Sequence, residues 1–387
     1  SFQTYKAICL IPLVYRVSQV TSYFPNKAIG NEDIETYLGM IGGIPSRVKP
    51  IILRQNGIKK RYYALDTNQN VTHSNAKLAS EAIKKLFSGE IPMNSVQVLA
   101  CGSSVPDQML PSHASMVHGE TFKYPMEIFS LSGVCLSSLM AFKTAYLSVK
   151  SENSSNAVCS ASELVSPILL SKFFQEEIKD KQRIEKNPSV AFEKDFLRYM
   201  LSDGSAALYL SNNGSAGDIE VNWIETISYA NEQDACMYMW GDYDSNGFFN
   251  SWKNFSSFEI AANSIWSIKQ NVKLLNKVVI KYFVDAIELA LKKHPVNMEQ
   301  VRYVIPHISS MYFYDKLYDE ICSRGLDLPC SKWFTNLTWV GNCGSAAIFA
   351  ALDELLRTKE VVRGDKILLL VPESGRFSYG IVLLTVK

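Results

Sequence analysis

Residues 130–142, SLSGVCLSSLMAF, set Cys135 between a β-type run and a string of small residues that reads as the first turn of a helix. A cysteine at a helix N-terminus meets the positive end of the macrodipole and unpaired backbone N–H groups, which lower its pKa and favour the nucleophilic thiolate. A thiolate that attacks a thioester needs partners to stabilise the developing oxyanion or enolate, usually a histidine and an amide or second histidine. Of the five histidines, His307 follows the apolar run VRYVIP and so falls at a strand end, where α/β sheets collect functional groups. His73, His113, His118 and His294 lie in polar or Pro-adjacent stretches. Asn342, between Gly341 and Cys343 after another β-type run, is also placed at a strand end. Each of these residues taken alone also reads as structural, because small-residue helices bury cysteines for packing. Together they point to nucleophilic acyl transfer.

The elements that must hold them follow from the pattern. Short β-rich runs, among them VQVLACG, EIFSLSG, NAVCSASE, AALYLS, VRYVIPHIS and KILLLVPES, alternate with amphipathic stretches such as SNAKLASEAIKKLF. That alternation predicts an α/β protein with sheets covered by helices. AICLIPLVYRV is expected to be the first core strand. It is too short to span a bilayer and lacks a signal-peptide cleavage pattern. EEIKDKQRIEKNPS (176–189) and NNGSAGD (212–218) read as surface loops, the second as the boundary between an N-terminal half, 1–215, and a C-terminal half, 216–387. EIFSLSGVCLSSLMAF and KWFTNLTWVGNCGSAAIFA each put a β-type run before Gly-x-Cys-x-Ser and a small-residue helix start, so one supersecondary unit is expected twice.

Composition narrows the class of partner. The chain has 387 residues, 47% hydrophobic and 20% charged, enough to bury a large core. With 39 basic and 38 acidic side chains, the net charge of +1 provides no global field for nucleic acid or a membrane surface. The eight cysteines form no CxxC pair, which argues against a zinc site or a disulfide scaffold and places the protein in a reducing, cytoplasmic setting.

Cys135 in LSGVCLSSL, His307 in IPHIS and Asn342 in VGNCGSAA, with LSDGSAALYL (201–210), SGRFSYGIVLL (374–384), SYFPNKAIGNEDIE and RQNGIKKRYYA, resemble the type III β-ketoacyl-acyl-carrier-protein synthases of the thiolase superfamily, in the same order along nearly the whole chain. The resemblance implies a thiolase-like fold, five-layered αβαβα built from two similar halves, and a cofactor-free and metal-free homodimer. It also implies roles. Cys135 would take the acyl group, His307 and Asn342 would hydrogen-bond the carbonyl of the incoming thioester and stabilise its enolate, and the Cys135 N–H would form half of the oxyanion hole. Three departures stand out. The His-Gln-Ala-Asn run of the family is His307-Ile308-Ser309-Ser310, the Gly-rich oxyanion loop is Ser374-Gly375-Arg376-Phe377, and Cys343 directly follows Asn342.

RQNGIKKRYYALD, SHASMVHGE and VGNCGSAAIFAALDEL are similar to the ketosynthase-cyclases that form dialkylresorcinol or dihydrostilbene rings. That likeness implies the joining of two β-ketoacyl thioesters with closure of a six-membered ring, for which His118 and Glu120 are candidate acid/base or interface residues, or simply a polar helix segment. Acyl carrier protein is the implied partner. Lys269, Lys273, Lys277 and Lys281 recur every four residues and would share one helix face, either as an acidic-partner site or as a solvated back. Arg54, Lys59, Lys60 and Arg61 form a second basic cluster near the implied pantetheine tunnel. Competing readings are an ordinary malonyl-dependent synthase III, a Cys-dependent acyltransferase, and a silent partner subunit of the same fold.

Overall fold

The computed structural model describes residues 15–89, 91–174, 195–214 and 218–387. Most of AICLIPLVYRV and the whole of 176–189 lie outside the described residues. Nine strands form the main sheet: β1 Arg16–Tyr23, β2 Val98–Ser103, β3 Glu127–Ser132, β4 Asn156–Glu163, β5 Gly204–Ser211, β6 Ile219–Ser228, β7 Val301–Pro306, β8 Lys366–Glu373 and β9 Ser378–Val386. The helices that matter for the site are α1 Lys49–Asn56, α2 Asn75–Leu86, α3 His113–Thr121, α4 Ser137–Lys150, α5 Val272–Lys293, α6 Tyr314–Ser323 and α7 Ala347–Thr358.

The strand order is β7-β8-β9-β6-β1-β5-β4-β2-β3. Going inward from β2, the pairings are parallel with β4, antiparallel β4 with β5, and antiparallel β5 with β1. From β7 the same series recurs: parallel with β8, antiparallel β8 with β9, antiparallel β9 with β6. The two series meet where Arg16 and Val17 pair with Glu220 and Ile219, and the Val221 N–H bonds the Tyr15 carbonyl at 3.1 Å. The counterpart of β3 in the second half is a single parallel bridge between Val304 and Trp333. The repeat read around Cys135 and Cys343 is therefore a structural repeat, with α4 and α7 as equivalent helices.

Burial sorts these elements into layers. Alternate side chains of β8 go opposite ways: Ile367, Leu369 and Val371 join the cluster that holds α4 and α7, whereas Leu368 and Leu370 join α5 and α6. On the other half Leu99, Val158 and Ala207 pack under α2 and α3. The layers thus run α2/α3, sheet, α4/α7, sheet, α5/α6. Phe142 of α4 meets Phe349 of α7 edge-on, with ring centroids 5.7 Å apart. Strands β4 and β5, NAVCSASE and GSAALYLS, are buried at every residue because both faces are covered, and their small side chains let the central helices come close. Side-chain caps start the outer helices: Ser74, Ser112 and Asn271 accept the N–H of Lys77, Ser115 and Leu274.

One buried acid ties three chain segments together. The Asp203 carboxylate accepts the N–H of Ala64 at 2.7 Å, of Val165 at 2.7 Å and of Ser166 at 2.9 Å, together with the Ser166 hydroxyl at 2.5 Å. Asp203→Ala leaves buried donors without an acceptor, each costing about 1–3 kcal/mol. Urea unfolding is expected to register a loss of about 3 kcal/mol or more, and a loss near zero would mean that the donors find other acceptors.

Candidate active site

Cys135, His307 and Asn342 converge on one cavity of about 870 Å³, although they come from three separate turns of the chain. Cys135 lies between the end of β3 and the start of α4, in a turn held by the Ser137 N–H on the Val134 carbonyl at 3.1 Å. His307 extends the β7 ladder by one residue, its N–H on the Leu370 carbonyl at 2.8 Å. Its side chain is buried, and Nε2 has no partner among the described residues.

Asn342 is fixed through its backbone. Its N–H reaches the Met200 carbonyl at 3.3 Å, and its carbonyl accepts the Ser202 N–H at 2.9 Å. Its Oδ1 accepts the Gly344 N–H at 3.0 Å, which leaves the amide N–H donors to face the cavity. Gly341 enters this turn with φ +74, and a Cβ there would lie 2.8 Å from the Ser202 Cβ. Only glycine meets both demands.

The electrostatics differ from the sequence-based expectation. Burial pushes the Cys135 thiol well up, and the Glu373 and Glu163 carboxyls add to it. Helix α4 begins only at Ser137, and the dipole contribution there is outweighed by the loss of water. Burial likewise lowers His307 to about 4, so the ring is neutral near pH 7. The resting pair is a thiol and a neutral imidazole.

Two acids that sequence reasoning passed over flank the thiol. Glu163 ends β4, and its Oε1 accepts the N–H of Ser104 at 3.0 Å and of Ser345 at 3.1 Å. Burial raises its pKa against those donors. Glu373 ends β8, and its Oε2 accepts the Val134 N–H at 3.1 Å. Burial raises it too, against the N–H groups of Val134 and Leu136 on either side of Cys135. The signal was present in NAVCSASE and KILLLVPES, where an acid closes a run that is otherwise apolar or small.

Other expected residues are distributed differently. The loop 374–377 abuts the Cys135 turn: a Cβ on Gly375 would lie 2.9 Å from the Val134 Cγ2. Ser374 lines the cavity, whereas the Arg376 side chain is exposed and bonds the Gln233 carbonyl at 2.8 Å. Cys343 is buried with its thiol pushed up to about 12 and packs against β5 at Gly204 instead of lining the cavity. Neither His118 nor Glu120 lines the cavity within this chain. His118 Nε2 bonds the Tyr124 carbonyl at 2.8 Å, and Glu120 pairs with Lys77 at 3.4 Å, because the side of α3 that bears them faces away from the central layer.

The lysine stripe is shorter than expected. Lys269 precedes the helix, in a two-residue strand, with its ammonium 2.5 Å from Asp242. Asn271 caps α5, so only Lys273, Lys277 and Lys281 share the helix, and Lys281 pairs with Asp285 at 2.7 Å. A second cavity of about 510 Å³ shares Phe196 and Phe313 with the first and is bounded by Ile52, Gln55, Val272 and Asn276. Arg54 on α1 and Lys273 and Lys277 on α5 are exposed beside these residues. Lys59 lies over the Trp339 ring at 5.3 Å, Lys60 is exposed, and Arg61 is fully buried on the Tyr199 carbonyl and Asn31, outside any surface cluster.

Among the described residues no cluster of three or more His, Cys, Asp or Glu could hold a metal ion, and no helix is long and apolar enough to cross a membrane.

The architecture is a thiolase-like fold. Residues 291–386 match the family described as 3-oxoacyl-[acyl-carrier-protein] synthase III, C terminal. Along the sequence, the chain is 24% identical over 366 residues to the β-ketoacyl-[acyl-carrier-protein] synthase III of Clostridium acetobutylicum, covering 94% of this chain and 96% of that protein. Among solved structures it superposes on AbyA1, a tetronic acid condensing enzyme, with TM-score 0.72 and 16% identity, over 96% of this chain and 99% of that one. It also superposes on OleA of Xanthomonas campestris with bound lauric acid and lauroyl-CoA, with TM-score 0.71, 16% identity and the same coverage.

Two outcomes test the site. Given a small acyl thioester, wild type and Cys343→Ala are expected to gain the acyl mass and Cys135→Ala to gain none; an adduct on Cys135→Ala would put the nucleophile elsewhere. The second concerns pH. Unfolded His307 takes up its proton near the ordinary histidine value, whereas the folded ring resists until about 4. The stability from His307 is therefore complete above about pH 6.5 and falls as pH drops, by about 1.4 kcal/mol per unit. Between pH 6.5 and 5, wild type should lose about 2 kcal/mol more than His307→Asn in urea unfolding; parallel curves would place the ring in contact with solvent.

Proposed function

We propose that this protein is a condensing enzyme that joins two acyl thioesters by Claisen chemistry through an acyl group held on Cys135. The observation that carries this reading is the convergence of Cys135, the unpartnered Nε2 of His307 and the amide of Asn342 on one cavity whose lining is mostly apolar, including Val105, Met200, Leu275, Val279 and Phe283. The thiol attacks the thioester carbonyl, the carbon–sulfur bond to the carrier breaks, and the thiol proton leaves with the carrier thiol. In the neutral tautomer with its proton on Nε2, His307 donates to the carbonyl oxygen of the second thioester, and Asn342 donates beside it. These two donors stabilise negative charge on that oxygen while its α-carbon attacks the acyl group. The Cys135 N–H, with a backbone N–H of the loop 374–377, serves the oxygen of the acyl carbonyl.

The finer reading is that both partners are β-ketoacyl thioesters and that the product closes to a cyclohexanedione- or resorcinol-type ring, as in dialkylresorcinol or stilbene-precursor synthesis. The apolar wall gives room for alkyl chains, and closure needs little binding help because tethered groups react at effective molarities of about 10⁵ M or more. The substrates arrive on the phosphopantetheine of an acyl carrier protein or on coenzyme A, and the protein itself uses no cofactor. Arg54, Lys273 and Lys277 beside the second cavity support an acidic carrier protein at that mouth. Strand β3 is the open edge of the sheet, and Met109, Leu110, Met140 and Leu147 are exposed, which supports pairing with a second copy of the chain.

Incubation with two β-ketoacyl thioesters, followed by mass spectrometry of the products, tests the reading. A cyclic product is expected, with malonyl thioester a poor second substrate. Efficient malonyl-dependent elongation to a linear chain would return the protein to ordinary synthase III chemistry, and the absence of any adduct on Cys135 would favour a silent subunit.

A further inference from the structure

We propose that Glu163 is the base that removes the α-proton of the second thioester and returns it to the sulfur of Cys135. This rests on the reading of Cys135 as the acyl carrier in a condensation, and it adds the step that such a condensation leaves open. A malonyl thioester makes its enolate by losing carbon dioxide and needs no base. An acyl or β-ketoacyl thioester keeps its α-proton until some group takes it. His307 and Asn342 are placed as donors to the carbonyl oxygen, and a donor committed to that oxygen does not collect a proton from the neighbouring carbon.

Glu163 has the geometry for the task. It is 2% exposed and borders the same cavity as Cys135, His307 and Asn342. One carboxylate oxygen is fixed by the amides of Ser104 and Ser345, while the other, Oε2, is buried without a hydrogen-bond partner among the described residues. A buried polar atom without a partner costs about 1–3 kcal/mol, and a purely structural role would be served by Oε1 alone. The fold also keeps space for this carboxyl. Gly344 has φ +53, and a Cβ there would stand 2.8 Å from the Glu163 Cγ and 3.1 Å from Oε1.

The surroundings suit a base. The titratable groups beside it are the thiols of Cys135 and Cys343 and, across the same cavity, the neutral ring of His307; the carboxyls of Glu373 and Asp203 act on those two thiols in turn. No lysine or arginine among the described residues pairs with it, and burial raises its pKa, which makes the carboxylate a stronger base. The balance closes within the site. The carboxylate takes the α-proton, the enolate carbon bonds to the acyl carbon on Cys135, the carbon–sulfur bond breaks, and the departing thiolate takes the proton back. Carboxylate and thiol are both restored without any further reactant. A thiol whose pKa burial has pushed up is a strong acceptor at that last step.

Glu163→Gln keeps the shape and the acceptor for Ser104 and Ser345 but removes the base. Acylation of Cys135, read by intact mass, is expected to be unchanged, while condensation of the acyl-enzyme with a β-ketoacyl thioester falls by about 100-fold or more. The acidic limb of the wild-type condensation rate should be absent from the residual rate. Glu163→Asp, which keeps the acid but draws its free oxygen back, should fall between the two and carries the test if the Gln variant does not fold. A Gln variant that condenses at the wild-type rate, or that loses acylation and condensation together, overturns the assignment of the base. A wild-type protein that forms no adduct on Cys135 overturns instead the reading on which it rests.

Discussion

The backbone pairing of Asn342 with Met200 and Ser202 is the contact on which the site depends. It ties the C-terminal half to the segment that leads into β5 of the N-terminal half, a separation of about 140 residues in sequence. The next residue, Asp203, gathers the amides of Ala64, Val165 and Ser166, so the same short stretch anchors the wall on both sides. Because buried N–H and C=O groups must be paired, neither half can shift along the other without breaking several bonds at once. A donor such as the Asn342 amide can then be held toward a cavity with its position set by main-chain bonds and not by a flexible side chain.

The residues of the chamber are largely buried among apolar side chains, and its chemistry follows from that. Removal of water penalises every charged form, which is why the thiol and both acids have raised pKa values while His307 is held neutral. The same low dielectric strengthens each hydrogen bond offered to a developing oxyanion. Glu373 braces the turn through the amides on either side of Cys135.

The legibility of the sequence was uneven for definite reasons. The repeat around Cys135 and Cys343 was visible because close helix packing in a central layer demands small residues in a set order, and that demand is local. The strand run VRYVIP was visible on similar grounds, whereas Asn342 follows a short helix, Leu337–Val340, and not the strand that KWFTNLTWV suggested. The lysine stripe failed at one end, since a period of four continues through Lys269 even though the Asn271 cap starts the helix after it. Arg61 failed because a basic residue in a basic run gives no sign that it is fully buried on main-chain carbonyls. His118 and Glu120 sat in a motif of promising types, but the side of α3 that carries them faces away from the chamber.

What the sequence alone determined is the set of elements, their twofold repetition and the three groups with the right chemistry at element ends, because periodicity, glycine placement and small-residue packing are short-range constraints. The tertiary structure decided which polar groups share a chamber. Glu163 and Glu373 stand 28 and 238 residues after Cys135 and reach it only through the packing of the two halves of the sheet on one helical layer. It also decided the protonation of all of them, since desolvation is a property of the surroundings and no residue carries it in its type.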